Sequence, residues 1–142
     1  MPRRGSAILE AGLLLPVLIL MTCGAMDFAR VFYAGIVVES AARAGVQYGS
    51  YDVGNDDSGK MNDAAVSDSS GQGLTGVTAS SRHFCSCVNG TTEVDCSTAS
   101  CSGALPSGYV ETTAAYTFNP IVPYPGVPRN IAISSTAKFR LQ

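Results

Sequence analysis

Four cysteines and one histidine hold most of the ligating and nucleophilic capacity of this chain. Cys85, Cys87, Cys96 and Cys101 fall within 17 residues, and His83, the only histidine, stands just before them. Sulfur at this density serves one of three chemistries. In a small domain exposed to an oxidising compartment, an even cluster forms disulfides, here two. A Cys-x-Cys followed by a Cys-x4-Cys is also a tetrahedral set for zinc. A thiolate of lowered pKa beside His83 would be a Cys–His nucleophile. Two disulfides are the expectation, with the pairing open, because four cysteines allow three connectivities. Cys23, the fifth, lies in an apolar stretch and counts as a small apolar side chain.

The other residue placed for chemistry is Glu10. It is the one charge among the 21 residues from Ser6 to Met26. A carboxylate in a spanning helix costs about 2.5–3.5 kcal/mol at the centre and less near an end, so it calls for a partner. Gly5 precedes it by five positions and follows Arg3 and Arg4. A short basic leader, a glycine, then an apolar helix with Glu at its fifth position resembles a type IV prepilin. That resemblance implies a cut after Gly5 by a membrane aspartyl peptidase (a prepilin peptidase) on the cytoplasmic side. The new N-terminus would be Ser6, and its amine, or that of a neighbouring subunit, would pair with Glu10. In low dielectric such a pair offsets much of the burial cost. The competing readings are a secretory signal cut near Cys23-Gly24-Ala25, a lipoprotein signal at Cys23, and an uncleaved anchor. Met21-Thr22 is a poor match to the lipoprotein pattern, and Arg3-Arg4 lacks a twin-arginine context.

A long helix must position Glu10. Ser6 to Met26 would rise roughly 30 Å, the thickness of a hydrocarbon core, with Arg3 and Arg4 holding its start in the cytoplasm. The C-terminal part then lies outside, in agreement with the cysteines. The helix is expected to continue to about Gln47, for about 40 residues, locally kinked or loosened at Pro16. Asp27 and Arg30 pair at i,i+3, and Glu39 and Arg43 at i,i+4. Phe28, Phe32, Ile36 and, less regularly, Val46 recur at helical intervals. Ala25, Ala29, Ala41, Ala42 and Gly45 are small enough for close helix packing. The expected division is residues 1–5 leader, 6–27 transmembrane helix, 28–50 its extracytoplasmic continuation and 51–142 a small periplasmic head.

The head opens with an acidic loop, Asp52 to Gly59. Its carboxylates do not match a calcium loop, so Asp56 and Asp57 are expected as solvated groups or a helix N-cap. A short helix follows from about Gly59 to Ser69, with Met61, Ala64, Ala65 and Val66 on its apolar side. Leu74 to Val88 reads as a strand, Asn89-Gly90 as a hairpin turn, and Thr91 to Val94 as the return. Cys85 and Cys87 share one face of that strand. Val110, Thr112, Ala114, Tyr116 and Phe118 alternate on a second strand, and Ile131 to Leu141 on a third. Pro120 to Pro128 cannot join a ladder and must be a loop. The fold class is α+β: a long transmembrane helix carrying a three- to four-stranded antiparallel sheet stabilised by disulfides.

Net charge is −2 with 14% charged residues, which leaves no basic footprint for nucleic acid. There is no Gly-x-Ser-x-Gly elbow, phosphate loop or acid–base pair, so neither an enzyme nor a cofactor is expected. Tyr109, Tyr116, Phe118 and Tyr124 are read as sheet core and loop rather than as a contact surface.

Several stretches together narrow the resemblance. Glu10 before Leu13-Leu-Leu-Pro16, then Asp27-Phe-Ala-Arg30, then Ala41-Ala-Arg43-Ala-Gly-Val-Gln-Tyr-Gly49, is similar to the TadE-like family. Phe84-Cys85-Ser-Cys87, Tyr109-Val-Glu-Thr-Thr-Ala-Ala-Tyr116 and Phe118-Asn-Pro120 extend the likeness through the head. One departure is Ala11, where the family pattern often has an aromatic directly after the Glu. The resemblance implies a pseudopilin, or minor pilin, of the tight-adherence system that builds Flp (type IVb) pili for adhesion and biofilm formation. Its implied partners are membrane lipid, a prepilin peptidase, and other pilins with their assembly machinery. The alternative is an uncleaved, membrane-tethered periplasmic binding domain outside a pilus.

Overall fold

A computed structural model of the chain describes residues 4–51, 57–87, 92–98, 101, 105–124 and 126–141, with side chains from residue 8 onward. The expectations for Arg3, for the acidic run 52–56 and for the Asn89-Gly90 turn lie outside these residues. Helix α1 runs from Arg4 to Tyr51 without interruption at Pro16, and its 48 residues exceed the expected 40. The extra turn comes from packing, since Val46 and Gly49 on its last turns are buried against the head. Ser50 Oγ also donates to the Gln47 carbonyl at 2.7 Å.

Helix α2 spans Ser58–Gly71. Asp57 caps it, its carboxylate accepting the Lys60 N–H at 3.3 Å. The buried residues are Met61, Ala65 and Ser69, one per turn. Val66, expected on the apolar side, is exposed, because a strict four-residue step puts Ser69 on the contact line instead. Ser69 Oγ donates to the Val66 carbonyl at 2.8 Å, which makes a buried hydroxyl tolerable there.

Strands β1 (Thr78–Ser86), β2 (Glu93–Val94), β3 (Ser107–Phe118) and β4 (Ile131–Arg140) form one antiparallel sheet of order β2-β1-β3-β4. Burial alternates as the pleat requires. Val110, Thr112 and Ala114 are fully buried and Phe118 nearly so. In β4, Ile131, Ile133, Ser135 and Ala137 face inward. Phe139 shares that face but is 51% exposed, because it borders an open groove with Gln47 and Tyr51 at the end of α1. On the outer face Phe84 and Tyr109 stack at 5.5 Å.

The sheet and α2 both pack on one side of the outer half of α1. That side is built from Ala34, Val37, Val38, Ala41, Ala42 and Val46, all buried. At Gly45 and Gly49 the approach is closer than any side chain allows. A Cβ on Gly45 would stand 2.6 Å from Thr112 Cγ2, and one on Gly49 would stand 2.7 Å from Met61 Cε. Thr112 has little room to yield, for it is fully buried and its hydroxyl is bonded to Ser81 at 2.8 Å. Gly45→Ala should therefore destabilise the head by about 1–3 kcal/mol, as overpacking does. Gly35→Ala, with nothing within 4 Å, should be neutral or stabilising. Thermal unfolding of the two purified variants checks the pair, and equal melting temperatures would contradict it.

Candidate functional site

Gly5 and Ser6 lie in the first turns of α1, and Glu10 stands one turn further along. The four-residue step from Ser6 to Glu10 places both on one helix face. Every residue from Ile8 to Thr22 is exposed, Ile8, Leu9 and Leu13 by more than 70%. Glu10 is therefore the one carboxylate on a bare apolar rod. Among the described residues, one helix is long and apolar enough to cross a bilayer, and it is this one.

The apolar surface does not stop where the head begins. Phe28, Phe32 and Ile36 are 65%, 59% and 62% exposed, and the Phe28 and Phe32 rings meet at 4.8 Å. The helical periodicity of these three marks the face turned away from the head. The small residues, read as a helix–helix surface, are instead spent in part on the head itself.

Where the exposed apolar stretch of α1 gives way to its head-packed part sits Asp27, 5% exposed. Its carboxylate accepts the backbone N–H of Ile121 at 3.1–3.2 Å and of Val122 at 3.4 Å. Arg30 Nη1 donates to it at 3.1 Å, and the same guanidinium lies 5.1 Å over the Phe118 ring. The loop after β3 is thus hooked back onto α1 by a side chain 94 residues earlier. The i,i+3 pair with Arg30 was readable in the sequence, but the hook was not. Its signal would have been an acid at the end of an apolar run with a proline-rich loop in need of an acceptor.

Beyond the hook, the Tyr124 side chain lies beside Gly24, where a Cβ would stand 3.8 Å from the hydroxyl. The loop then turns. Gly126 has φ +84° and the Val127 N–H donates to the Tyr124 carbonyl at 3.2 Å. A φ of this sign in a turn is one that glycine adopts without strain.

The cysteines form two bridges, Cys85–Cys96 and Cys87–Cys101, each with Cα atoms 5.2 Å apart. The thiolates that a zinc site or a Cys–His pair would need are consumed in them. His83 Nε2 instead faces Met61 Sδ at 3.1 Å. Cys87 lies past the end of β1, and the bridges tie β1 to the return strand β2 and the loop before β3. Tyr109 and Phe118 are buried, Tyr116 packs against the core and Tyr124 against the span, so these rings do not share one surface.

The outer sheet face carries the charges. Glu111 is bonded to Arg82 at 2.9 Å and to Lys138 at 3.3 Å, and Arg82 also pairs with Glu93. Partial burial opposes ionisation of Glu111, but the two cations outweigh it and hold its carboxyl below the usual range. Both cations also stand 4.9 Å over the Phe84 ring.

A family model described as TadE-like protein matches residues 5–47, which is α1 without its last turn. The segment matched holds Gly5, Ser6, Glu10, Asp27 and the small-residue face; the head lies outside it. No curated protein and no solved structure matches the chain.

Two outcomes follow from this geometry. Asp27→Ala should speed hydrogen exchange at the Ile121 and Val122 amides while leaving β3 amides protected; unchanged exchange would mean that the hook does not hold the loop. For Glu111, native binding of fewer protons than the unfolded chain means stability that is complete above about pH 4.3 and lost as pH falls through the lowered native value. Glu111→Gln should therefore make the acid limb of a pH–stability curve shallower. An unaltered limb would assign the acid sensitivity elsewhere.

Proposed function

We propose that this chain, whose N-terminal segment is TadE-like, is a membrane-anchored minor pilin (pseudopilin) supporting assembly of Flp tight-adherence pili. Adhesion and biofilm formation follow from that role. The observation that carries the reading is Glu10, exposed as the one charge of the apolar stretch from Ser6 to Met26 and one turn from Ser6. Cleavage after Gly5 by a prepilin peptidase would create an amine at Ser6. That amine and the carboxylate can neutralise each other within one subunit or between neighbours, at close range and away from water. Arg3 and Arg4 would keep the N-terminus in the cytoplasm, leaving the head in the periplasm with the inner membrane between them. The two disulfides support that side for the head, since they persist in an oxidising compartment. Other pilins and the assembly machinery would meet the helix along its exposed side.

Intact mass of the protein from native membranes tests the processing step, with Ser6 expected as the first residue. A start at Met1 would leave Glu10 without its partner and reduce the chain to a tethered domain. Glu10→Ala should lower the number of pili per cell while membrane insertion is unchanged. Equal pilus numbers would remove the role assigned to Glu10.

A further inference from the structure

We infer that the 119–128 loop is a second membrane contact, hooked by Asp27 against the outer end of the span and seated in the boundary region of the same bilayer. The inference rests on α1 crossing a bilayer and not on the pilus role.

Its position comes first. Val122 and Tyr124 form a groove of about 350 Å³ with Leu15, Pro16, Ile19, Leu20 and Cys23 of α1. Those helix residues belong to the stretch that faces lipid. Leu15, Ile19 and Leu20 are more than half exposed, so the medium that solvates them also solvates the loop. Counting from Asp27, Cys23 lies roughly 6 Å and Ile19 roughly 12 Å down the helix axis. Interfacial elements sink about 5–10 Å into the boundary between headgroups and acyl chains; the loop covers that depth, and its groove runs on to Leu15, roughly 18 Å from Asp27.

Chemistry agrees with position. No charged residue occurs between Glu111 and Arg129. Ile121 is 62% and Val127 44% exposed, an apolar surface that water would not favour. Tyr124 is of the type enriched at membrane interfaces.

The backbone donors of the loop point the same way. Irregular chain is excluded from lipid because each unpaired N–H costs several kcal/mol. In this loop Pro120, Pro123, Pro125 and Pro128 have no N–H at all. Ile121 and Val122 donate theirs to Asp27, and Val127 donates to Tyr124. Seven of the nine residues from Pro120 to Pro128 thus lack a free donor. An aqueous loop has no need of this economy. Asp27, buried at the level where the span ends, is what makes it work: its charge is spread over two amides and Arg30.

The chain contains no tryptophan, so a single introduced indole reports its own site. Full-length Tyr124→Trp and Ile121→Trp variants are reconstituted into phosphatidylcholine/phosphatidylglycerol vesicles with or without dibrominated acyl chains. Leu13→Trp in the span and Leu105→Trp, which is 85% exposed on the head, serve as references. The expected result is bromolipid quenching and blue-shifted emission at positions 121, 124 and 13, and neither at 105. Loop indoles quenched by aqueous acrylamide but not by bromolipid would overturn the inference. So would loop indoles shielded from both quenchers, which would place a protein surface over the loop. Absence of bromolipid quenching at position 13 would overturn it through its premise, a failure distinguishable from the others and independent of pilus assembly.

Discussion

The approach of β3 to the backbone of α1 at Gly45 is the contact on which the head depends. A Cβ there would overlap a threonine that is itself buried and bonded, so the helix–sheet distance is set by the absence of a side chain. At Gly49 the neighbour is the end of the Met61 side chain of α2, which can move aside more readily. Small domains bury too little surface to stand easily alone, and this one takes its central layer from the helix that also anchors it. One helix therefore serves two solvents. Bulky Leu, Ile and Val cover its first half, and Ala, Gly and Val line the head-facing side of its second. Large residues are kept on the opposite side, as Phe28, Phe32 and Ile36.

The head is hydrogen-bonded to this rod at two levels. Near the membrane, Asp27 grips the loop after β3. Further out, Gln72 at the end of α2 donates to Ser40 at 3.1 Å, and Tyr33 donates to the Gln72 carbonyl. The core beside the second of these is of small and medium side chains, consistent with a chain that has no Trp. The outer sheet face needs no such layer. There an aromatic pair is roofed by the cations of Arg82 and Lys138, both anchored on Glu111.

The elements readable from sequence were those with a strong period. Twenty-one residues with one charge admit few meanings besides a span, and the alternation in β3 and β4 announces the sheet. Of the expected return over Thr91 to Val94, Glu93 and Val94 pair with β1; the Asn89-Gly90 turn lies outside the described residues. Which of two periodic stripes on the same helix faces the head was not legible. Phe28, Phe32 and Ile36 carry more apolar area than Ala34, Ala41 and Ala42, yet the smaller residues face the core. Burial there is decided by how near the sheet must come, and hydrophobicity alone does not encode distance. Val66 lost its place to Ser69 for the same reason: the contact line follows geometry, and a local hydrogen bond makes the hydroxyl acceptable. The hook at Asp27 was invisible because its donors are main-chain atoms, which no side-chain pattern reports.

The two bridges cross in sequence: Cys85 reaches past Cys87 to Cys96, and Cys87 reaches past Cys96 to Cys101. Thiols oxidised in order of emergence would join Cys85 to Cys87 and Cys96 to Cys101. Neither of those pairs occurs in the native head. The Cys85–Cys96 cross-link forms directly once β1 and β2 have aligned; any earlier non-native pair must be undone by thiolate attack on one of its own sulfurs. Maturation of the head is therefore coupled to strand pairing: an oxidant that acts before pairing leaves bridges that only exchange can correct.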